Sequence, residues 1–153
     1  MVSTPNQVRT SATIATYINW LSNRLISSAS ATYGQLNIGF VEARLIYLLG
    51  RRPQLTAARC AEIIGADPGA VSRALKALKS SGLIHAAGGK SRTLSLTDTG
   101  LQLCEKVAAI SDERERRLLQ GLEPAQADQL LSCLETMLAN MPDVVALAGE
   151  ATG

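Results

Sequence analysis

The sequence predicts a mainly α-helical fold that carries one small β-hairpin beyond the middle of the chain. Apolar residues recur at three- and four-residue steps, which is the spacing of amphipathic helices. Aromatic residues make up only 3% of the 153 residues, so the core must consist mainly of aliphatic side chains, as in helices that pack on helices. Two short strand-like runs flank Gly88-Gly89 and supply the hairpin. These observations predict six helices with the hairpin between the fourth and the fifth.

The first two predicted helices occupy the N-terminal third of the chain. The first covers residues 8–31, because its apolar residues keep helical spacing until the pattern breaks near Gly34. The second covers residues 39–49 and is apolar on most of its sides. Gly50 is a stop signal there, and Pro53 prevents continuation.

The third and fourth helices have the clearest boundary signals in the sequence. Thr56 is the expected N-cap of a short third helix that reaches Ile64, and Gly65 fits the left-handed position that ends it. Asp67 is the expected N-cap of the fourth helix, and Pro68 takes the first helical position, where a missing N–H costs little. This fourth helix is predicted to end near residue 80.

The hairpin and two further helices complete the chain. The strands are predicted at residues 83–85 and 93–96. Thr97 or Asp98 caps a fifth helix that extends to about residue 120, and Glu123-Pro124 opens a sixth. The apolar side of the sixth helix comprises Leu130, Leu134, Met137, Leu138 and Met141.

Positive charge is concentrated in the middle of the chain. Residues 51–92 contain eight basic and two acidic residues, a net charge of +6, whereas the remainder carries −4. A basic segment in a chain whose remainder has a negative net charge indicates contact with a polyanion through one part of the molecule.

The fourth helix presents two different faces on a helical wheel. Val71, Ala74, Leu75 and Leu78 form one apolar stripe, and the opposite face is small and basic with no acidic residue after Asp67. Two short helices followed by a hairpin are the pattern of a winged helix-turn-helix, in which the second helix enters the DNA major groove. The candidate DNA-binding residues are Thr56, Asp67, Gly69, Ala70, Ser72, Arg73, Lys76 and Lys79, with Lys90, Ser91 and Arg92 in the wing.

The chain resembles the MarR family of bacterial transcriptional regulators over residues 8–141. The resemblance rests on the order of the elements, on SRALKALKSSGLI leading into the hairpin, and on the Leu96-Thr97-x-x-Gly100 element after it. It implies a single MarR-like domain over residues 1–153, with a winged lobe at 36–97 and dimerisation helices at 8–33 and 98–148. It also implies a homodimer that binds a pseudo-palindromic operator in double-stranded DNA.

The wing departs from the pattern of the family. Many members carry Asp-x-Arg in the wing, whereas the corresponding positions here are Gly88 and Lys90, in a loop about four residues shorter. Lys fits a narrow minor groove less well than Arg, so we expect weaker specificity from the wing, with Arg92 sharing the role.

Dimerisation has support from the apolar pattern itself. The first, fifth and sixth helices carry more apolar surface than one winged lobe could cover. The residues expected at the dimer interface are Ile14, Ile18, Leu119, Leu130, Leu134, Met137 and Leu138.

Two modes of regulation remain open from the sequence. Proteins of the family respond to small aromatic or phenolic effectors, and the residues that could line such a site here are Trp20, Tyr33, Phe40 and Tyr47. The alternative is a redox response through a cysteine. Cys60, Cys104 and Cys133 lie among apolar neighbours at helical positions, which is more typical of inert thiols.

Other classes of function have less support. His85 is the single histidine, and no nucleophile-base set, phosphate loop or metal-ligand cluster accompanies it, so we expect neither an enzyme nor a metal or cofactor site. A winged module that binds protein instead of DNA is a further alternative, which the central charge disfavours. The chain shows no secretory signal and no run of about 18 apolar residues, so we expect a cytoplasmic protein outside the membrane.

Overall fold

A computed structural model describes residues 13–86 and 93–150. Over these residues the chain forms seven helices and one antiparallel two-stranded sheet, which confirms the predicted mainly α fold with its small hairpin. Two compact units divide the chain, one ending at Ile110 and the other beginning at Ser111. In chain order the elements are α1 (Ile14–Gly34), α2 (Phe40–Arg51), α3 (Ala57–Ile64), α4 (Pro68–Ser80), β1 (Ile84–Ala86), β2 (Leu94–Leu96), α5 (Asp98–Leu118), α6 (Pro124–Ala139) and α7 (Met141–Glu150).

The structure confirms the caps and the bounds that the sequence predicts for α3 and α4. The Thr56 side chain accepts a hydrogen bond from the Arg59 backbone N–H, and Gly65 ends α3 with a φ of 58°. Asp67 Oδ2 accepts from the Ala70 N–H at 2.8 Å, and Pro68 opens α4 as predicted. Local signals therefore set both helices of this pair.

Two predicted helix ends in the first unit were wrong. Helix α1 continues to Gly34, three residues beyond its expected end, and it begins at Ile14 after the N-cap Thr13. Residues 8–12, where the sequence places the start of this helix, lie outside the described residues. Helix α2 passes through Gly50 and ends at Arg51. A Cβ at Gly50 would collide with Cys104 Sγ of α5, so this glycine permits close helix packing and does not act as a stop.

The predicted sixth helix is divided in two. Helix α6 ends at Ala139, and Met141, which was expected on its apolar side, begins α7. The physical reason is Pro142, which cannot donate to the carbonyl of Leu138 and whose ring would clash with it in a continuous helix. Asn140 forms the junction between the two helices.

The core of the first unit lies between α2, α3, α4 and the sheet. Its largest fully buried side chains are Leu45, Ile46, Leu49, Leu78, Val71, Val107 and Cys60. The hairpin pairs Ile84 with Leu96 and Ala86 with Leu94, and it closes over the core through the buried Ile84 and Leu96. Burial of these aliphatic side chains is the main source of stability of this unit.

Thr97 and Gly100 join the hairpin to α5. Thr97 Oγ1 donates to the Gly82 carbonyl at 2.7 Å and accepts from the Gly100 N–H at 3.1 Å. The Thr97 N–H donates to the Leu83 carbonyl at 3.0 Å. A Cβ at Gly100 would collide with that same Leu83 oxygen. The Leu-Thr-x-x-Gly element thus locks the start of α5 against the segment that follows α4.

The second unit leaves many apolar side chains exposed in the single chain. They lie mainly on α6 and α7, where Leu138 is 70% exposed and Val145 is 65% exposed. No single helix among the described residues is long and apolar enough to cross a membrane, and α6 with α7 reaches that length and composition only as a pair bent by about 40°.

Candidate nucleic-acid interface

Helix α4 presents its basic face at the surface of the first unit. Ser72, Arg73, Lys76 and Lys79 are all exposed. The opposite stripe, Val71, Ala74, Leu75 and Leu78, is buried, as the helical wheel predicts. Among the other candidates on this helix, Gly69 is exposed and Ala70 is half-buried. The buried stripe fixes the rotation of α4, so the cations cannot turn inward without loss of the core.

The N-terminal end of α4 brings Asp67, Gly69 and Arg73 together. A Cβ at Gly69 would lie 3.0 Å from Asp67 Oδ2 and 3.5 Å from Arg73 Nη1. The glycine therefore leaves space in which the Arg73 guanidinium lies alongside the first turn of the helix. Asp67 itself is occupied as the N-cap, through its bond to the Ala70 N–H.

Neither of the two acidic groups in the basic segment is left without a partner. Glu62 pairs with Arg59 on α3, and the hydrogen bond that Arg59 donates to the Glu62 carboxylate raises the pKa of that guanidinium. Asp67 caps α4. Among the described residues no ion pair includes Arg73, Lys76 or Lys79, and these exposed cations favour an anionic partner. Thr56, a further candidate, is exposed and caps α3.

Arg44 of α2 holds the turn between α3 and α4 in place. Its Nη2 donates to the Ile64 carbonyl at the end of α3, and its guanidinium lies 5.4 Å from the centre of the Phe40 ring. Burial lowers the pKa of Arg44. The sequence gave no indication of this contact, because Arg44 lies in a mostly apolar helix and its partner is a backbone carbonyl 20 residues away.

A third backbone segment joins the base of the hairpin. The Gln54 N–H donates to the Leu94 carbonyl at 3.0 Å, and the Leu94 N–H donates to the Leu55 carbonyl at 2.8 Å. Gln54 has a φ of 64°, which turns the chain from α2 into this pairing. Arg52, two residues before Gln54, is exposed. The cluster of Arg51 and Arg52 in the sequence was the signal that could have identified this position.

The remaining predicted DNA contacts belong to the wing. Lys90, Ser91 and Arg92, together with Gly88, lie outside the described residues. Their roles stay predictions from the sequence.

The four aromatic residues proposed for an effector site do not share one environment. Tyr33 is buried in the core, and Trp20 is exposed on α1 with Arg24 stacked at 4.7 Å from its ring centre. Phe40 and Tyr47 are half-buried on α2, each beneath an arginine. An aromatic effector site formed by these residues stays a prediction from the sequence.

Two of the three thiols lie in surroundings that disfavour the thiolate. Burial raises the pKa of Cys60, and it raises that of Cys104 more than the nearby Arg51 lowers it. A thiol with a raised pKa carries less of the reactive thiolate at neutral pH. Cys133 is exposed on α6. The described residues contain no group of three His, Cys, Asp or Glu side chains that could hold a metal ion.

The residues expected at a dimer interface are mostly exposed in the single chain. Ile14, Leu130, Leu134, Met137 and Leu138 are exposed, whereas Ile18 and Leu119 are half-buried. Apolar side chains of this number in water are typical of a surface that another molecule covers.

The chain is similar to solved structures of known proteins. No protein-family model and no curated protein matches the chain. A MarR/EmrR family transcriptional regulator from Acinetobacter sp. ADP1 is 30% identical, with a TM-score of 0.79, and the alignment covers 84% of this chain and 94% of that one.

Two further solved structures share the fold and contain DNA. MepR of S. aureus, in complex with DNA, has a TM-score of 0.74 at 24% identity, and the alignment covers 84% of this chain and 96% of that one. A protein of Listeria monocytogenes, assigned to the MarR family and crystallised with 26mer DNA, has a TM-score of 0.78 at 21% identity over 91% and 96% of the two chains. Identity and coverage with the Acinetobacter regulator, together with the hairpin and its Leu-Thr-x-x-Gly junction, show that the chain belongs to the MarR family of transcriptional regulators.

Proposed function

We propose that this protein is a sequence-specific DNA-binding regulator, a ligand-responsive repressor that binds a pseudo-palindromic operator as a homodimer. The observation that carries the proposal is the face of α4, where Ser72, Arg73, Lys76 and Lys79 are exposed above a buried apolar stripe. The two neighbours crystallised with DNA support it, because they have the same fold.

The side chains on this face match the chemistry of the major groove. Arg73 has the planar fork that binds the O6 and N7 of guanine in a bidentate manner. Ser72 can donate to a base edge or a phosphate, while Lys76 and Lys79 provide point charges for the backbone. The groove is about 12 Å wide and admits one helix. Residues on this face would therefore read bases near Arg73 and fix the register through the lysines.

The operator is found by selection from fragmented genomic DNA with the full-length protein. We expect enrichment of a few fragments that share an inverted repeat, with half-sites about one helical turn apart, because a two-fold dimer presents two copies of α4. Uniform recovery of all fragments would contradict sequence-specific binding. Transcription from a promoter that contains the enriched repeat, with and without the protein, then distinguishes repression from activation.

Substitution of Leu138 by glutamate is expected to abolish the dimer. Leu138 is 70% exposed in the single chain, so the change leaves the fold of each chain intact but places a carboxylate in an apolar interface. Sedimentation velocity should show a dimer for the natural protein and a monomer for the variant. Gln129→Glu, which adds the same charge to an exposed polar position of α6, is the control and should remain dimeric. If the Leu138→Glu variant remained dimeric, α6 would not be part of the interface.

Substitution of Arg52 by glutamine is expected to weaken DNA binding without altering sequence preference. Arg52 is exposed two residues before Gln54, which pairs with Leu94 at the base of the hairpin, and in our proposal Arg52 contacts a phosphate. Each lost phosphate contact reduces the slope of log K against log salt by about 0.9. Binding to the selected operator and to a scrambled duplex should weaken by the same factor in a salt titration. An unchanged slope would exclude Arg52 from the interface.

A further inference from the structure

The first turn of α4 brings an acidic and a basic side chain to one open space on its exposed face. Gly69 has no side chain, and a Cβ there would lie 3.0 Å from Asp67 Oδ2 and 3.5 Å from Arg73 Nη1. Gly69 and Arg73 are four residues apart, so they lie above one another on the helix, and the Arg73 side chain points back toward the N-terminal end. The carboxylate of Asp67 and the guanidinium of Arg73 therefore border the same space.

The Asp67 carboxylate has a fixed position beside this space. Its Oδ2 accepts from the Ala70 N–H at 2.8 Å, which holds the side chain at the start of the helix. This bond to a backbone N–H does not neutralise the negative charge of the carboxylate. A fixed negative charge beside a flexible cation favours those side-chain conformations that keep the two charges close. Asp67 thus restrains the Arg73 guanidinium at the N-terminal end of α4.

The Arg73 guanidinium is near this carboxylate without being bound to it. Within the part of the chain that the structure describes, no ion pair joins Arg73 to Asp67. The N–H donors of Arg73 therefore stay available for the O6 and N7 of guanine. A side chain that is restrained before binding loses less conformational entropy when it binds. The carboxylate also opposes contact of Arg73 with a DNA phosphate, because it repels the phosphate.

We propose that Asp67 is a positioning residue for base recognition, whose carboxylate directs the Arg73 guanidinium toward a guanine and away from the phosphates. Asp67 then has two roles, as the N-cap of α4 and as the group that makes the arginine selective. Its negative charge lowers the affinity for DNA in general and raises the discrimination between sequences. The effect on DNA rests on the proposed function, whereas the restraint on Arg73 exists in the free protein.

Replacement of Asp67 by asparagine tests the proposal, because the amide oxygen keeps the N-cap while the charge is lost. Fluorescence anisotropy with the full chain should show roughly twofold tighter binding to a scrambled duplex, since a single repulsion between exposed charges is weak. Preference for the selected operator over the scrambled duplex should fall by roughly fivefold, the lower end of the discrimination that a bidentate contact provides. Affinity for the operator itself therefore falls, while the melting temperature changes little.

Two further measurements separate this role from other effects of the substitution. Glu105→Gln removes the same charge from an exposed position of α5 and should change the affinity for both duplexes by one common factor. In an Arg73→Ala background, Asp67→Asn should tighten operator binding, because only the general repulsion remains. Weaker operator binding in both backgrounds would mean that Asp67 acts without Arg73, and would overturn the proposal. An equal gain for both duplexes in the single variant would show general repulsion alone, which overturns it as well.

The restraint on Arg73 is measured without DNA by proton–nitrogen correlation NMR of the free protein. The Nε–H resonance of Arg73, assigned by its loss in Arg73→Ala, should shift in Asp67→Asn and keep its position in Glu105→Gln. An unchanged resonance in Asp67→Asn would overturn the proposal whatever the DNA measurements show. If the resonance shifts but the natural protein has no sequence preference, the proposed function fails and the restraint on Arg73 stands.

Discussion

Replacement of Arg73 by alanine is expected to abolish selective DNA binding while leaving fold and dimer intact. A bidentate contact to guanine contributes about 1–3 kcal/mol of discrimination, and a dimer would lose two such contacts. Affinity for the selected operator should therefore fall by at least about 30-fold, which corresponds to about 2 kcal/mol. Fluorescence anisotropy with operator and scrambled duplexes measures the effect. The gap between the two duplexes should nearly close.

The control for this variant is Lys106→Ala on α5. It removes one positive charge from another exposed helical position, so it reports the effect of net charge alone. The melting temperature and sedimentation of Arg73→Ala should equal those of the natural protein, because the side chain is exposed. Operator affinity that equals that of Lys106→Ala would refute the assignment of α4 as the recognition helix.

Replacement of Gly100 by alanine is expected to cause the largest loss of stability among single substitutions at the described glycines. The added Cβ would collide with the Leu83 carbonyl oxygen and lie 3.3 Å from Leu96 Cβ. Backbone shifts forced by overpacking cost about 3 kcal/mol at the upper end of their usual range. Thermal unfolding followed by circular dichroism should show a melting temperature lower by roughly 10 °C.

The same change should also weaken DNA binding. The Leu83 carbonyl accepts from the Thr97 N–H, so displacement of this oxygen moves the base of the hairpin. Gly34→Ala is the matched control, because a Cβ there meets nothing within 4 Å. It should leave stability unchanged or raise it by up to about 1 kcal/mol, since alanine is the better helix former. A Gly100→Ala variant with the same melting temperature as the natural protein would contradict the close contact between Gly100 and the Leu83 carbonyl.

Helices α3 and α4 could be predicted to the residue because their boundaries are set locally. Thr56 and Asp67 cap from one turn away, and Gly65 adopts a conformation that its own lack of a side chain permits. The outer face of α4 followed from the same kind of information. One turn of sequence on either side was enough to place Arg73 opposite the buried stripe.

Features that depend on residues far apart in the chain could not be predicted from the sequence. Gly50 looked like a helix stop, and only the approach of Cys104 from α5 explains it as a packing position. The same holds for two contacts between distant segments, the hydrogen bond from Arg44 to the Ile64 carbonyl and the pairing of Gln54 with Leu94. Nothing in the sequence of either segment indicates its partner. The structure also contains a cavity beside Glu42, and residues from several separate segments line it. No single stretch of the sequence could therefore predict it.

The central claim is that the exposed cations of α4 bind duplex DNA, and a salt titration tests it most directly. Binding of the natural protein to the selected operator should weaken linearly in a plot of log K against log salt. A dimer that neutralises six or more phosphates should lose about 10³-fold in affinity between about 50 and 200 mM salt. Binding that is absent, or that does not change with salt, would contradict the claim and favour a winged module that recognises protein.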